Sequence, residues 1–364
     1  MKYSRREFIK QIGAGSALLP LLGSTGLSRY LGRSEEKKLR IALVGLGNYA
    51  THELAPGLQE TRYCTLGGIV TGTPEKAAQW KKEYGLEDKN IYNYQNFDAI
   101  AKNDAIDVVY VVLPNSMHHE FVLRAAAAGK HVFCEKPMSV SVKEAQEMID
   151  ACNKAGVRLF IGYRLHSEPY NQYAMKFRTT GVGNIKTVES EFAFRIGDPT
   201  QWRLRKALAG GGALMDLGIY AIQAARYSTG EEPLTVTATE EKTDPVKFKE
   251  VDETIRWEMQ FPGGAKSTSY TSYNGFGNRL RIDAEKGWLE LEPAFAYGGI
   301  RGKTDKGTLN LPSVNQQAAQ MDDFAQCIFH QSKSNADGEE GLKDMKVIEA
   351  IYRSIASGSA AKVE

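Results

Sequence analysis

Lys38-Leu39-Arg40-Ile41-Ala42-Leu43-Val44-Gly45-Leu46-Gly47-Asn48-Tyr49-Ala50 decides how the rest of the chain is read. The apolar run 41–44 has the composition of a strand buried on both faces. Gly45-Leu46-Gly47 ends it in a tight turn, and Tyr49-Ala50 opens a helix. The pattern is G-x-G-x-x-A. Gly45 permits the turn, Gly47 lets the backbone come close to a pyrophosphate, and Ala50 lets the helix pack tightly on the strand. The first N–H groups of such a helix lack partners within it and favour an anion. A glycine-rich strand end is by itself a common turn. This one gains weight from its place between a strand and a helix, at the head of a long β/α alternation.

Downstream of it, helices at 49–59, 74–84, 96–102, 116–128 and 141–155 alternate with strands at 64–70, 91–92, 107–113, 131–134 and 158–162. Pro74 sits where a first helical turn tolerates it, and Gly129 ends the fourth helix. Such alternation predicts a doubly wound parallel sheet of the Rossmann type. The pattern then changes. Strand-like runs at 186–196, 234–240, 251–261, 265–273, 280–284 and 287–291 follow one another through turns such as Pro262-Gly263-Gly264, with no helix expected between them. They predict a large, mostly antiparallel, open-faced sheet. Helices at 170–180, 212–228, 315–331 and 339–357 would cover its other face. The fold class is α/β: an N-terminal Rossmann domain (36–160) and a C-terminal α+β domain for substrate binding and oligomerisation (161–364), preceded by a signal and linker (1–35).

Composition narrows the function classes. The 364 residues carry a net charge of +2, so no basic field points to nucleic acid. Cys64, Cys134, Cys152 and Cys327 are scattered, with no CxxC pair and no Cys/His cluster. Neither a zinc site nor a disulfide framework is expected, and buried thiols are. At the N-terminus, Ser4-Arg5-Arg6-Glu7-Phe8-Ile9-Lys10 is a twin-arginine export signature. The weakly apolar stretch after it, 12–22, is too short and glycine-rich to span a bilayer stably. A periplasmic location and the twin-arginine (Tat) machinery as a partner are expected. With no A-x-A site, the sequence leaves cleavage open.

Three more stretches carry chemistry. Thr71-Gly72-Thr73-Pro74-Glu75-Lys76 follows the second strand, where an NAD site commonly places an acid for the adenosine 2′-hydroxyl. Here two hydroxyls and a lysine suit a 2′-phosphate, hence NADP, and Glu75 should face another way. Cys134-Glu135-Lys136-Pro137 puts a lysine at the carboxyl end of a buried strand, in the crevice where ligands bind. Glu135 could hold that ammonium or bond a ribose. Gly210-Gly211-Gly212 permits close approach to a ligand and leads into Asp216 and Tyr220, four apart on one helix face. A carboxylate and a phenol so placed can bind and deprotonate a sugar hydroxyl, with Lys136 nearby to tune the phenol.

The chain resembles the glucose–fructose oxidoreductase, inositol dehydrogenase and MocA (Gfo/Idh/MocA) family over nearly its whole length. The stretches GLGNYA, TGTPEKA, VVLPNSMHHEF, AGKHVFCEKPMS, IGYRLH and QWRLRKALAGGGALMDLGIYAI carry the likeness. The resemblance implies that Lys136, Asp216 and Tyr220 are catalytic, with Tyr220 the acid/base. It implies that Gly45, Gly47, Asn48 and Tyr49 line the pyrophosphate, and that Thr71 and Lys76 take the 2′-phosphate. Leu113, Pro114, Asn115 and His118 would border the path to the nicotinamide, with Glu135 on its near side. Arg164 would lie by the carboxamide, and Trp202 and Arg203 would close over the cofactor. Pairing through the open sheet face would give a homodimer or homotetramer. The glycosidase branch has His where this chain has Tyr220, which argues against glycoside hydrolysis. The expected activity is NADP-linked oxidation of a glucose-like aldose to its lactone, coupled to reduction of a second sugar such as fructose. An aldose dehydrogenase with exchangeable NADP, or a non-catalytic sugar- or partner-binding protein, are the alternatives.

Overall fold

In the computed structural model, the described residues are 37–364, and the export-signal reading lies outside them. Strands β1 (Leu39–Val44), β2 (Cys64–Val70), β3 (Ile91–Tyr92), β4 (Val108–Val111), β5 (His131–Cys134) and β6 (Leu159–Ile161) form a parallel sheet in the order β3-β2-β1-β4-β5-β6. The chain works outward from β1 to β3 and then returns to its other side as β4. This reversal opens a crevice beyond the carboxyl ends of β1 and β4. The glycine turn lies there because it is the end of β1. Ile41, Leu43, Val109, Val111 and Val132 are fully buried. Each such side chain contributes about 1.5–3 kcal/mol relative to exposure, which fixes the sheet that aims the turn.

The second sheet comprises β7 (Ile185–Ala193), β8 (Thr235–Glu241), β9 (Thr254–Gln260), β10 (Lys266–Ser272), β11 (Gly277–Ala284), β12 (Gly287–Leu291), β13 (Gly302–Thr304), β14 (Gly307–Thr308) and β15 (Ala361–Lys362). Their order is β14-β13-β12-β11-β7-β10-β9-β8-β15. The sheet is mixed: β7 and β10 run parallel, and the other pairs antiparallel. The helix expected at 212–228 is present, so the strand runs on either side of it are not joined by a turn alone. The helix Ile219–Thr229 separates β7 from β8 and packs under β7 and β10. Strands β13, β14 and β15 left no sequence signal, since two or three residues cannot display a period.

One face of this sheet is apolar and covered. Along β9, Ile255, Trp257 and Met259 point inward, while Arg256, Glu258 and Gln260 alternate outward. The outward face is polar, with Arg279 paired to Glu290 at 2.8 Å and the Arg256 guanidinium over Tyr270. The helix Gly338–Ser357 lies against β8 on the covered side. All four cysteines are buried and free.

Candidate active site

The fingerprint glycines do different things. Gly45 has φ +95°, and a β-carbon there would collide with the carbonyl of Val112 and come within 2.8 Å of the Leu113 side chain. Gly47 has an ordinary φ, and an added β-carbon would meet nothing within 4 Å. It faces open space on the wall of a cavity of about 490 Å³, a size usual for ligand sites. The first backbone bond of the helix runs from Thr51 N–H to Gly47 O at 3.0 Å. The N–H groups of Asn48 and Tyr49, both on the cavity wall, therefore have no helical acceptor. Ala50 is fully buried against the sheet, as the pattern requires.

At one end of the cavity stand Thr71, Thr73 and Lys76. Thr71 Oγ1 accepts from Thr73 N–H at 3.2 Å. Lys76 Nζ donates to Leu46 O at 2.9 Å, so the second helix lays its cation across the glycine turn. Glu75 is exposed and not part of the wall. The end of β2 thus offers hydroxyls and an ammonium, a donor set that fits a phosphate.

At the other end, Lys136 Nζ donates to Asp216 O at 2.6 Å and Asp216 Oδ1 at 3.1 Å. Arg203 Nε donates to Asp216 Oδ2 at 3.1 Å, and Tyr273 Oη donates to the same oxygen at 2.9 Å. Burial pushes the Asp216 carboxyl up, but Lys136 and Arg203, with these hydrogen bonds, hold it well below the usual carboxylate range. Both oxygens are committed to cations or a phenol. Asp216 is therefore a fixed anion that orients Lys136, which leaves the acid/base part of the expected pair to Tyr220.

Tyr220 is the group left facing the cavity. Its ring packs on Phe192 and Phe295, with Lys136 Nζ 4.8 Å from the ring centre. Arg164 Nε donates to Tyr220 Oη at 3.2 Å. A guanidinium can only donate, so the phenol oxygen accepts there and its own proton is free to point elsewhere. The pairing of Asp216 and Tyr220 does not depend on a regular helix. Asp216 lies in a π-helical turn, Leu214–Gly218, that precedes Ile219–Thr229.

Other expected site residues are brought to the wall: Leu113, Pro114, Asn115, Glu135, Trp202 and Arg203. Asn115 Nδ2 donates to Ala209 O at 2.9 Å, which ties the two sheets' loops together. Two of the expected residues stand outside the wall. His118 does not reach the cavity; it is fully buried, its ring nitrogens 2.9 Å from the carbonyls of Pro137 and Leu113. Burial holds it below its ordinary pKa, and it braces the loops that do line the cavity. Arg164 also lies behind the wall, bonded to Gln316, Phe295 O and Tyr220. It touches the phenol and not the cavity, because its guanidinium is consumed by protein acceptors.

The triple glycine is corrected as well. A β-carbon at Gly211 or Gly212 would meet Tyr352 Oη or the Asp252 backbone, so the close approach is to protein. Asp252 accepts from Gly212 N–H at 2.7 Å and Leu214 N–H at 2.8 Å, which sets the start of the segment that carries Asp216 and Tyr220. Sequence reasoning missed Glu53, Tyr94 and Tyr297 on the wall. Glu53 lies one turn beyond Tyr49, and that spacing was a usable signal. Tyr297 comes from an irregular loop after β12, where no pattern announces a site.

A crevice running from a phosphate-compatible turn to a lysine, a fixed carboxylate and a phenol is that of a dinucleotide-dependent oxidoreductase. Residues 39–163 match the model of an oxidoreductase family with an NAD-binding Rossmann fold, and 177–290 match the GFO/IDH/MocA C-terminal domain. The chain belongs to the Gfo/Idh/MocA oxidoreductase family. It is 43% identical to an aldose-aldose oxidoreductase from Caulobacter crescentus, solved with glycerol, over 90% of this chain and 100% of that one, with a TM-score of 0.87. It is 29% identical to an NADP(+) D-xylose 1-dehydrogenase of Haloarcula marismortui, covering 90% of this chain and 94% of that protein. A second D-xylose 1-dehydrogenase (NADP(+)), from Haloferax volcanii, is 28% identical over 90% of this chain and all of its own length.

Proposed function

We propose that the protein is a periplasmic sugar oxidoreductase that keeps NADP(H) bound through turnover. It oxidises an aldose at C1 to the lactone, releases it, and reduces a second sugar carbonyl at the same site. The acceptor is a ketose such as fructose or another aldose. The relatives named for NADP and for aldose–aldose chemistry support the cofactor and the reaction class. The observation that carries the reading is the junction at Asp216, where the cavity wall from β5 meets the segment carrying Trp202 and Arg203. That junction ties a covering segment to the reactive end of the site.

The residues present fit a dinucleotide: an open Gly47, free helix N–H groups, and hydroxyls with Lys76 at the end of β2. When bound, the nicotinamide supplies the hydride acceptor of the first half-reaction and the donor of the second. Tyr220 moves the proton, from the C1 hydroxyl in oxidation and to the carbonyl oxygen in reduction. Lys136, anchored by Asp216, is placed to polarise the sugar oxygen and to keep it on Tyr220. Arg164 fixes the phenol's orientation. The export signature gives retention a purpose, since a periplasm supplies essentially no free nicotinamide nucleotide. The polar open face of the second sheet is the surface proposed for pairing into a homodimer or homotetramer.

The D-xylose dehydrogenases support a second reading, an NADP-dependent aldose dehydrogenase with exchangeable cofactor. The absorption spectrum of desalted, natively purified protein separates the two. A reduced-nicotinamide band that rises on adding aldose alone, and bleaches with a second sugar, is the expected result. A band seen only after NADP is supplied overturns retention in favour of the second reading.

A further inference from the structure

Glu135 is a carboxylate that the mechanism above does not use. It lines the cavity at the end of β5, next to Lys136, and is 8% exposed. It is closely packed: Gly162 lies flush against it, and a β-carbon there would come within 2.6 Å of Oε1. Tyr110 Oη, from β4, donates to Glu135 Oε1 at 2.7 Å and accepts from Gln320 Nε2 at 2.8 Å. The Lys136 backbone N–H approaches Oε2 at 3.3 Å.

Among the described residues, no cation lies within salt-bridge distance of this carboxylate. The two nearest are spent elsewhere, Lys136 on Asp216 and Arg164 on Tyr220, Gln316 and Phe295 O. A buried carboxylate without a counter-ion is costly. Burial pushes Glu135 up to about 7, against the pull of the Tyr110 hydrogen bond and the Lys136 charge. The other titratable groups around it hold their charge over the same range. Tyr110, Tyr49, Tyr297 and Cys134 are pushed up by burial, and so remain neutral. Lys136 and Arg164 are held above their ordinary values and stay charged. His118, behind Pro137, is lowered and stays neutral.

Resting on the reading that this cavity holds a nicotinamide, we infer that Glu135 selects the redox state of the bound nucleotide. The oxidised ring carries a positive charge and the reduced ring does not. An ionised Glu135 supplies the missing partner to the oxidised ring; a protonated Glu135 leaves the neutral reduced ring without an uncompensated charge beside it. Below neutrality the site favours NADPH, and above it NADP⁺. Glu135 is thus a specificity-determining residue, with Tyr110 and Gln320 as positioning residues behind it.

The test is direct titration of nucleotide-stripped protein with NADP⁺ and with NADPH at pH 6.5 and 8.5, by calorimetry. The ionisation of the 2′-phosphate is common to both ligands and cancels in the ratio of their dissociation constants. That ratio, NADPH over NADP⁺, is expected to rise about threefold from pH 6.5 to 8.5, the part of the tenfold limit of one unit of differential pKa that falls between those pH values for a group titrating at about 7. In Glu135→Gln, an isosteric change, it should stay flat while both nucleotides still bind. Tyr110→Phe removes a donor to the ionised form and should move the change to higher pH. A flat ratio in the wild type, or an unchanged slope in Glu135→Gln, overturns the inference. Failure of the wild type to bind either nucleotide overturns instead the functional reading on which it rests.

Discussion

Arg203 reaches Asp216 from the far side of the cavity, Nε to Oδ2 at 3.1 Å, while Lys136 holds the other carboxylate oxygen. One anion therefore serves two cations that arise 67 residues apart in the chain (203 minus 136). Lys136 follows β5 of the parallel sheet. Arg203 belongs to the segment that follows β7, and its guanidinium lies 4.6 Å from the Trp202 ring centre. Opening this segment requires breaking a partly buried, charge-assisted hydrogen bond.

Arg203→Ala should release that segment. Truncating one partner of such a pair acts mainly on dissociation. The expected outcome is nucleotide loss at least about tenfold faster than from the wild type. Nucleotide content after repeated gel filtration measures it, and equal retention by the variant would remove the latch from the argument.

Tyr220→Phe removes the oxygen proposed to carry the proton and leaves the ring's packing against Phe192 and Phe295 intact. Turnover should fall by about 10²–10⁴-fold, the usual contribution of a positioned acid/base. Bound nucleotide should be unchanged. Single-turnover reduction with excess aldose reads the first quantity, and the spectrum of released nucleotide the second. Turnover near the wild-type rate would refute the role of Tyr220.

Gly45→Ala and Gly47→Ala should part company. The first places a β-carbon against Val112 O at φ +95°, and should lower the melting temperature markedly. The second meets no protein atom, so the melting temperature should stay within about 2 °C, a shift smaller than 1 kcal/mol causes in a domain of this size. Its cost falls on nucleotide affinity. Thermal melts with and without NADP distinguish fold from site at two residues of one turn.

The two buried carboxylates of the site make opposite predictions for stability against pH. Glu135 is raised in the folded state, so between its ordinary value and about 7 the folded protein holds a proton that the unfolded chain releases. Stability must therefore fall as pH rises through that window, by about 3 kcal/mol for this group. Glu135→Gln should melt higher than the wild type at pH 8 and gain little at pH 4.5. Asp216 is depressed, so its contribution is present above the ordinary carboxylate range and is lost as pH falls below it. Asp216→Asn should be destabilised at pH 7, where it leaves Lys136 and Arg203 without their anion. The deficit should shrink in acid. Melting temperatures of the three proteins from pH 2 to 8.5 check both signs.

Much of this molecule is local information. The run 38–50 determined the first strand, its turn and the following helix, because burial on both faces demands apolar residues and only glycine accepts φ +95°. The β/α alternation determined a parallel sheet, and therefore a crevice at its switch point. Thr71, Lys76, Lys136 and Tyr220 were legible as site residues because each stands at a strand end or on a helix in a recognisable stretch.

What tertiary structure alone decided is which polar groups spend their charge on protein. Asp216 reads by spacing as half of a carboxylate–phenol pair open to a sugar hydroxyl, yet Lys136, Arg203 and Tyr273 converge on it from three other segments. The family resemblance placed His118 and Arg164 beside the cofactor, and in the fold backbone carbonyls and Gln316 engage them. Glu135 reads as half of an ion pair with its neighbour, yet the Lys136 ammonium turns to Asp216 and leaves Glu135 to Tyr110. Helix period and strand alternation fix which way a side chain faces. The partner that waits there comes from segments tens to hundreds of residues away, and only folding brings them within hydrogen-bond distance.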